Sequence, residues 1–313
     1  LILFSTDMSE FEDKKAFPWA GFLFTFAGVA LFSTIELASK AVSRCTADAG
    51  LPGIDGYTLV FLRFFITGII LTLAGIPELR RRQGTLRRKD MGIFLLNGLI
   101  GIGISISFFH FAIDAFANAS SAAVVMSANA MFTIIFARFI NGEEWNLRKW
   151  AAVLAGCCGI ACFIFESGMP SRGALIASGL MTISAMTFAC SVCITRRYVR
   201  NYGASMMMGV SAIFGSLIAL PFAMAHSEPG ITDSIAAAAW PLAYVVLVGT
   251  LLAYLAYYEG IRRVSAFTAS MIFLLKPVMA CTLAVFLAGE SMNAWTLTGT
   301  AVIVGSLCMT LKK

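Results

Sequence analysis

The sequence predicts an all-α integral membrane protein with ten transmembrane helices, built as two inverted five-helix repeats. Three observations predict it. Apolar stretches long enough to span a bilayer recur along the whole chain, positive charge alternates from one connecting segment to the next, and the second half of the chain echoes the first.

Composition sets the solvent. Of 313 residues, 59% are hydrophobic and 13% are charged, and the mean hydropathy is +0.84. A soluble domain has about a quarter of its residues charged. So few charges cannot clothe a water-soluble surface, so lipid must contact most of it. The net charge of +6 calls for no nucleic-acid partner. The basic run at 80–89 reads as a solvated loop that also suits anionic lipid.

The elements follow in order. A bilayer-spanning helix needs about 20 mostly apolar residues. After a tail at 1–16, in which Leu1–Asp7 read as sequence ahead of a native start at Met8, the first such stretch covers 17–42. It is too long for a signal-peptide apolar region, and no small-residue cleavage site follows it. The next four cover 57–76, 91–113, 118–140 and 148–166. The second set covers 173–195, 205–225, 240–261, 265–288 and 294–311. The connecting segments are too short, at about 15 residues or fewer, to hold a soluble domain.

Loop charge tests this count independently, because cytoplasmic loops carry excess Lys and Arg. With the N-terminus inside, the inner segments hold 18 of the 23 basic residues, including the run Arg80–Lys89 and the pairs Arg196–Arg197 and Arg262–Arg263. The outer side holds Lys40, Arg44 and Arg172, and Arg63 and Lys276 fall within the membrane. The expected location is therefore the cell (inner) membrane, multi-pass, with both termini cytoplasmic.

Residues 119–146 and 266–293 match at an offset of 147: Ala119 meets Ala266, Ala137 meets Ala284, Gly142-Glu143 meets Gly289-Glu290, and Asn146 meets Asn293. Five helices per half is an odd number, so the second half enters the membrane upside down. Inverted repeats with a site near the bilayer midplane are an architecture of secondary transporters.

These residues carry a family resemblance. A small-residue-rich helix, then Gly-Glu, then a short Gly- and Ala-rich helix occurs once per half. It resembles the EamA-type repeat of the drug/metabolite transporter superfamily. PWAGFLFTFAGVALFSTIELASK (18–40), FLRFFITG (61–68) and LLAYLAYYEGIRRVSAFTASMIFLLKPV (251–278) resemble the family's first helix, second helix and eighth-to-ninth passage. Within the superfamily the chain is most similar to YddG-type exporters of aromatic and other neutral amino acids. The resemblance implies a first EamA-like repeat over 17–166 and a second, inverted one over 173–311. It also implies alternating access through a cavity between them. Ala130 stands where the second half has Pro277, a departure that implies different bends in the two halves.

Polar groups inside a membrane are costly, so they mark candidate sites. Glu36 and Lys40 form an i, i+4 pair, read either as a local ion pair or as a substrate-ammonium or proton site. Arg63 and Lys276 could offset a substrate carboxylate or could reach toward an interface. Lys276 precedes Pro277, the expected hinge, and its repeat partner is Asn129. Ser107, His110 and Phe111 lie on one stripe of the third helix with Gly103 and Asp114. Tyr254, Tyr257 and Tyr258 lie on the eighth, with Tyr257 opposite His110 and Tyr258 opposite Phe111 under the repeat. Phe273 and Met126 complete the expected substrate-binding set. An aromatic stripe also packs helices, so both readings stand.

The eight cysteines fall in or near predicted helices and read as small apolar packing. The Cys190/Cys193 pair lacks the exposure and extra ligands of a redox or zinc site. Neither metal nor cofactor is expected. No Walker GxxxxGK[ST] motif is present, so ATP does not drive the protein directly. The expected function is export of small organic metabolites, aromatic and neutral amino acids above all, with cationic drugs as the alternative. The expected partners are a small-molecule substrate and the lipid bilayer, with the protein read as a monomer. A membrane enzyme lacks a nucleophile or metal motif, since the chain has two histidines and neither HExxH nor GxSxG. A channel does not require inverted halves.

Overall fold

In the computed structural model, which describes residues 19–81, 88–113, 126, 128–144, 146–165, 172–276, 278–279, 282 and 294–311, the first apolar stretch is a broken rod. Helix α1 (Trp19–Phe32) stops at Ser33 and Thr34, and α2 (Ile35–Asp48) continues. The Ser33 hydroxyl donates to the Val29 carbonyl at 2.9 Å and the Thr34 hydroxyl to that of Leu31 at 2.8 Å. Such back-bonding competes with the helical ladder and bends it. The single helix expected over 17–42 is corrected accordingly.

Helix α3 (Gly56–Arg81) starts at Asp55, whose carboxylate accepts from the Tyr57 and Thr58 amides at 2.9 and 3.0 Å. That cap satisfies donors the helix cannot. It passes through Pro77 and outruns the expected end at residue 76. The third segment is α4 (Arg88–Gly98), a π turn (Leu99–Ile104) and α5 (Ser105–Ile113). Then come α6 (Asn129–Asn141) and α7 (Leu147–Phe165). Gly142 ends α6 in the left-handed conformation at φ 69°, where a side chain would be strained.

The later elements are α8 (Arg172–Tyr202), α9 (Ala204–His226) and the short α10 (Ile231–Ala237). Next are α11 (Ala239–Val246), a second π turn (Leu247–Leu252) and α12 (Ala253–Arg263). The chain ends with α13 (Ala266–Phe273) and α14 (Ala294–Leu311). Helix α8 runs past the expected end at residue 195. The π turns begin at Leu99 and Leu247, 148 residues apart, one residue from the offset of the sequence repeat.

No strand occurs among the described residues. Among the described residues, five spans are long and apolar enough to cross a membrane: Gly56–Arg80, Asp90–Phe109, Gly179–Tyr202, Ala204–His226 and Ala239–Arg263. Large apolar side chains such as Leu23, Leu73, Phe139 and Trp240 are exposed on the outside. That surface suits lipid rather than water.

The most extensive helix pairs join the two halves of the chain: α3 with α9, α7 with α14, α1 with α12, α6 with α8 and α5 with α8. Lipid tails are as apolar as Leu, so helices gain by close approach over small residues. Gly28 on α1 shows this, since a β-carbon there would lie 2.8 Å from the backbone nitrogen of Tyr257. Met206, Met207 and Met208 are fully buried, Met206 lying against Gly75 of α3, and so form helix-packing core.

Candidate functional site

Three tyrosines of α12 share one helical face because 254, 257 and 258 are spaced i, i+3, i+4. Phe32, at the end of α1 just before the break, meets that face. Its ring lies 4.7 Å from Tyr254, 5.8 Å from Tyr257 and 6.2 Å from Phe273. Phe64 of α3 adds a contact to Tyr254 at 5.6 Å, and Phe188 of α8 one to Phe273 at 5.2 Å. Tyr257 stands 6.0 Å from Phe273. Most of these pairs are edge to face, the arrangement aromatic quadrupoles favour. The result is an aromatic cluster fed by five helices from both halves.

Arg63 borders this cluster. It is only 8% exposed, its Nε donates to the Thr250 hydroxyl at 3.0 Å, and its guanidinium lies 5.5 Å from the Phe64 ring. The Thr250 hydroxyl in turn donates to the Val245 carbonyl at 2.7 Å. The second π turn thus presents a side-chain acceptor to a buried cation. π turns in helices often mark functional positions.

Next to the aromatic cluster, through Ser270 and Phe273 of α13, lie Thr133, Asn129 and Cys193. The Thr133 hydroxyl pairs with that of Ser270 at 2.8 Å and donates to the Asn129 carbonyl at 2.8 Å. The Cys193 thiol donates to the Thr133 carbonyl at 3.8 Å. Asn129 and Tyr257 are each 1% exposed. The side-chain nitrogen and oxygen of Asn129 and the hydroxyl of Tyr257 have no hydrogen-bond partner among the described residues. An unmade buried hydrogen bond costs about 1–3 kcal/mol, so such groups call for an explanation.

The remaining expected residues are placed as follows. Lys276 is half-buried, and its backbone carbonyl accepts from the Ser33 hydroxyl at 3.3 Å, tying α13's end to the break in the first segment. Helix α13 stops at Phe273, four residues before Pro277. Proline has no N–H to give the Phe273 carbonyl. Pro277 itself lies outside the described residues. Met126 is half-buried, its sulfur accepting from Ser184 at 3.7 Å. Ser107 is half-buried. Two residues earlier, the Ser105 hydroxyl donates to the Ser184 carbonyl at 3.0 Å. The first π turn inserts a residue and shifts the helix phase. The side chains of Glu36, His110 and Phe111 lie outside the described residues, although their backbones are helical.

A second buried polar cluster was not visible in the sequence. The Asn97 carbonyl oxygen accepts from Ser191 at 2.9 Å and Thr195 at 3.5 Å, and its nitrogen donates to Ser211 at 3.2 Å. The cluster joins α4, α8 and α9. Sequence reading also missed Phe32, Phe64 and Phe188. Phe32 precedes the Ser-Thr break and Phe64 follows Arg63, so each lay beside a signal, whereas Phe188 had none.

Elsewhere, Glu143 of the Gly-Glu pair accepts from the Ala266 amide at 2.9 Å and lies 3.7 Å from Lys149. A carboxylate at a helix N-terminus satisfies an orphan donor and opposes the helix dipole. Glu259 pairs with both Arg262 and Arg263. Among the described residues, no group of three or more His, Cys, Asp or Glu is placed to hold a metal ion.

The profile of the EamA-like transporter family matches residues 19–165 and 175–312. The chain is 27% identical over 297 residues to an "Uncharacterized transporter" of Clostridium kluyveri, covering 92% of each protein. It is 23% identical over 223 residues to a "Probable amino-acid metabolite efflux pump" of Salmonella typhimurium, covering 67% of this chain and 74% of that one. A solved crystal structure superposes with a TM-score of 0.71 at 18% identity, covering 93% of this chain and 96% of that chain, which shows a shared fold.

Proposed function

Because the chain belongs to the EamA-like transporter family, a family of multi-pass membrane carriers, we propose that it is a secondary transporter exporting aromatic and other neutral amino acids. The observation that carries this reading is the aromatic cluster of Phe32, Tyr254, Tyr257, Phe188 and Phe273, drawn from both halves, with buried Arg63 at its edge. Aromatic walls suit flat or apolar side chains. The name of the Salmonella relative, "Probable amino-acid metabolite efflux pump", supports the same substrate class.

The proposed architecture is ten spans in two inverted repeats, over 17–166 and 173–311, with both termini cytoplasmic in the inner membrane. The helix pairing supports it. Under the repeat α3 answers to α9 and α7 to α14, and each of these pairs is in contact, as a two-fold axis passing between the mates would give. The contact of α1 with α12 answers to that of α8 with the third segment, which also occurs. The matched π turns support it too. Alternating access then follows by exchanging the conformations of the two halves.

The test is efflux from proteoliposomes loaded with labelled amino acids, with and without a pH gradient. Saturable phenylalanine efflux is expected, falling at least tenfold in Phe273→Ala. Flux of a cationic drug or nucleotide sugar with none of any amino acid sinks the substrate assignment. Unsaturable flux sinks the carrier mechanism.

A further inference from the structure

Asn129 and Tyr257 carry three buried side-chain atoms with no hydrogen-bond partner among the described residues. They belong to opposite halves, Asn129 opening α6 and Tyr257 lying in α12. Yet one neighbourhood holds both. Thr133, one turn beyond Asn129, bonds Ser270 of α13. Phe273, one turn beyond Ser270, packs on the Tyr257 ring. Cys193 of α8 adds its thiol to the Thr133 carbonyl at 3.8 Å. Two buried polar side chains without partners among the described residues are thus linked, through Thr133, Ser270 and Phe273, to one neighbourhood where the halves meet.

Resting on the carrier reading above, we infer that Asn129 and Tyr257 form the polar end of the substrate site and read the ammonium and carboxylate of a zwitterion by hydrogen bonds alone. The inventory fits. The Tyr257 hydroxyl and the Asn129 amide nitrogen donate to a carboxylate, and the Asn129 amide oxygen accepts from an ammonium. Both protein groups are neutral. A lone cation or anion entering among them loses its hydration without a countercharge, whereas a zwitterion brings its own. Arg63 does not supply the countercharge here. It is bonded to Thr250, seven residues from Tyr257, a rise of about 10 Å along a helix. This end of the site therefore separates amino acids from amines of the same shape, such as cationic drugs.

The test uses the full chain in proteoliposomes with three probes sharing one ring: L-phenylalanine, phenethylamine (cation only) and 3-phenylpropionate (anion only). In the wild type, L-phenylalanine is expected to compete with its labelled form at least tenfold better than either partial analogue. Tyr257→Phe, nearly isosteric, and Asn129→Leu are each expected to raise the half-saturation concentration for phenylalanine about tenfold. The thermal unfolding temperature of the unliganded protein should hold or rise, because each change removes an orphaned polar group. A drop in that temperature with unchanged half-saturation makes both residues structural and overturns the inference. Phenylalanine flux with equal competition by phenethylamine overturns the inference alone. Phenethylamine flux without phenylalanine flux overturns both the inference and the amino-acid reading. If no probe is carried, the amino-acid reading falls. Stabilisation of the purified protein by L-phenylalanine then decides the inference: lost in both variants it stands, and absent or unaffected it fails.

Discussion

At the scale of single residues, the molecule separates polar groups that are satisfied from polar groups that are not. Asn97 is wholly engaged, holding Ser191, Thr195 and Ser211 around one carboxamide. The Asn129 side chain is equally buried and has no hydrogen-bond partner among the described residues. Substitution should tell the two apart. Asn97→Leu leaves the buried hydroxyls of Ser191 and Ser211 short of a partner, at about 1–3 kcal/mol each. A lower unfolding temperature in detergent is expected, with phenylalanine half-saturation in the surviving folded fraction unchanged within about twofold. A half-saturation change at least tenfold, without loss of stability, would place Asn97 in the substrate site instead.

At the scale of elements, the site is made by interruptions of helices. The Ser33–Thr34 break places Phe32 over the tyrosine face, the second π turn aims Thr250 at Arg63, and the end of α13 at Phe273 sets that ring beside Tyr257. Each interruption depends on a helix pressed close enough to use it. For α1 and α12 that closeness rests on Gly28. A methyl at Gly28 meets the Ala253 carbonyl and Tyr257 backbone at 2.8 Å, whereas one at Gly92 meets nothing within 4 Å. Gly28→Ala should therefore lower the unfolding temperature and slow phenylalanine efflux, and Gly92→Ala should do neither. Equal behaviour of the two variants would show that the α1–α12 contact has slack to give.

At the scale of the whole molecule, the proposed orientation rests on charge. Lys and Arg on inner loops resist translocation, which supports an N-terminus inside. Asp48 and Glu144 are exposed at the ends of the first and fourth segments, which this orientation assigns to opposite faces. In a background without native cysteines, Asp48→Cys should react with an impermeant maleimide on intact cells. Glu144→Cys should react only after permeabilisation. The reverse pattern would turn the whole molecule over, and labelling of both from outside would break the count of spans between them.

The helical class, the rhythm of apolar stretches, the loop charges and the shared face of Tyr254, Tyr257 and Tyr258 were legible in the sequence, because each depends on residues within a few turns of one another. The Gly-Glu pair was legible as a repeat, but its cap on Ala266 was not. Tertiary structure alone decided that Phe32 and Phe188 join the aromatic cluster, that Arg63 reaches Thr250, and that the Asn129 side chain has no partner among the described residues while that of Asn97 has three. Those outcomes turn on which helices meet and at what phase. A hydroxyl that bends a helix or a π turn that advances it by one residue changes that phase. Periodicity read along one strand of sequence carries no trace of the partner more than a hundred residues away.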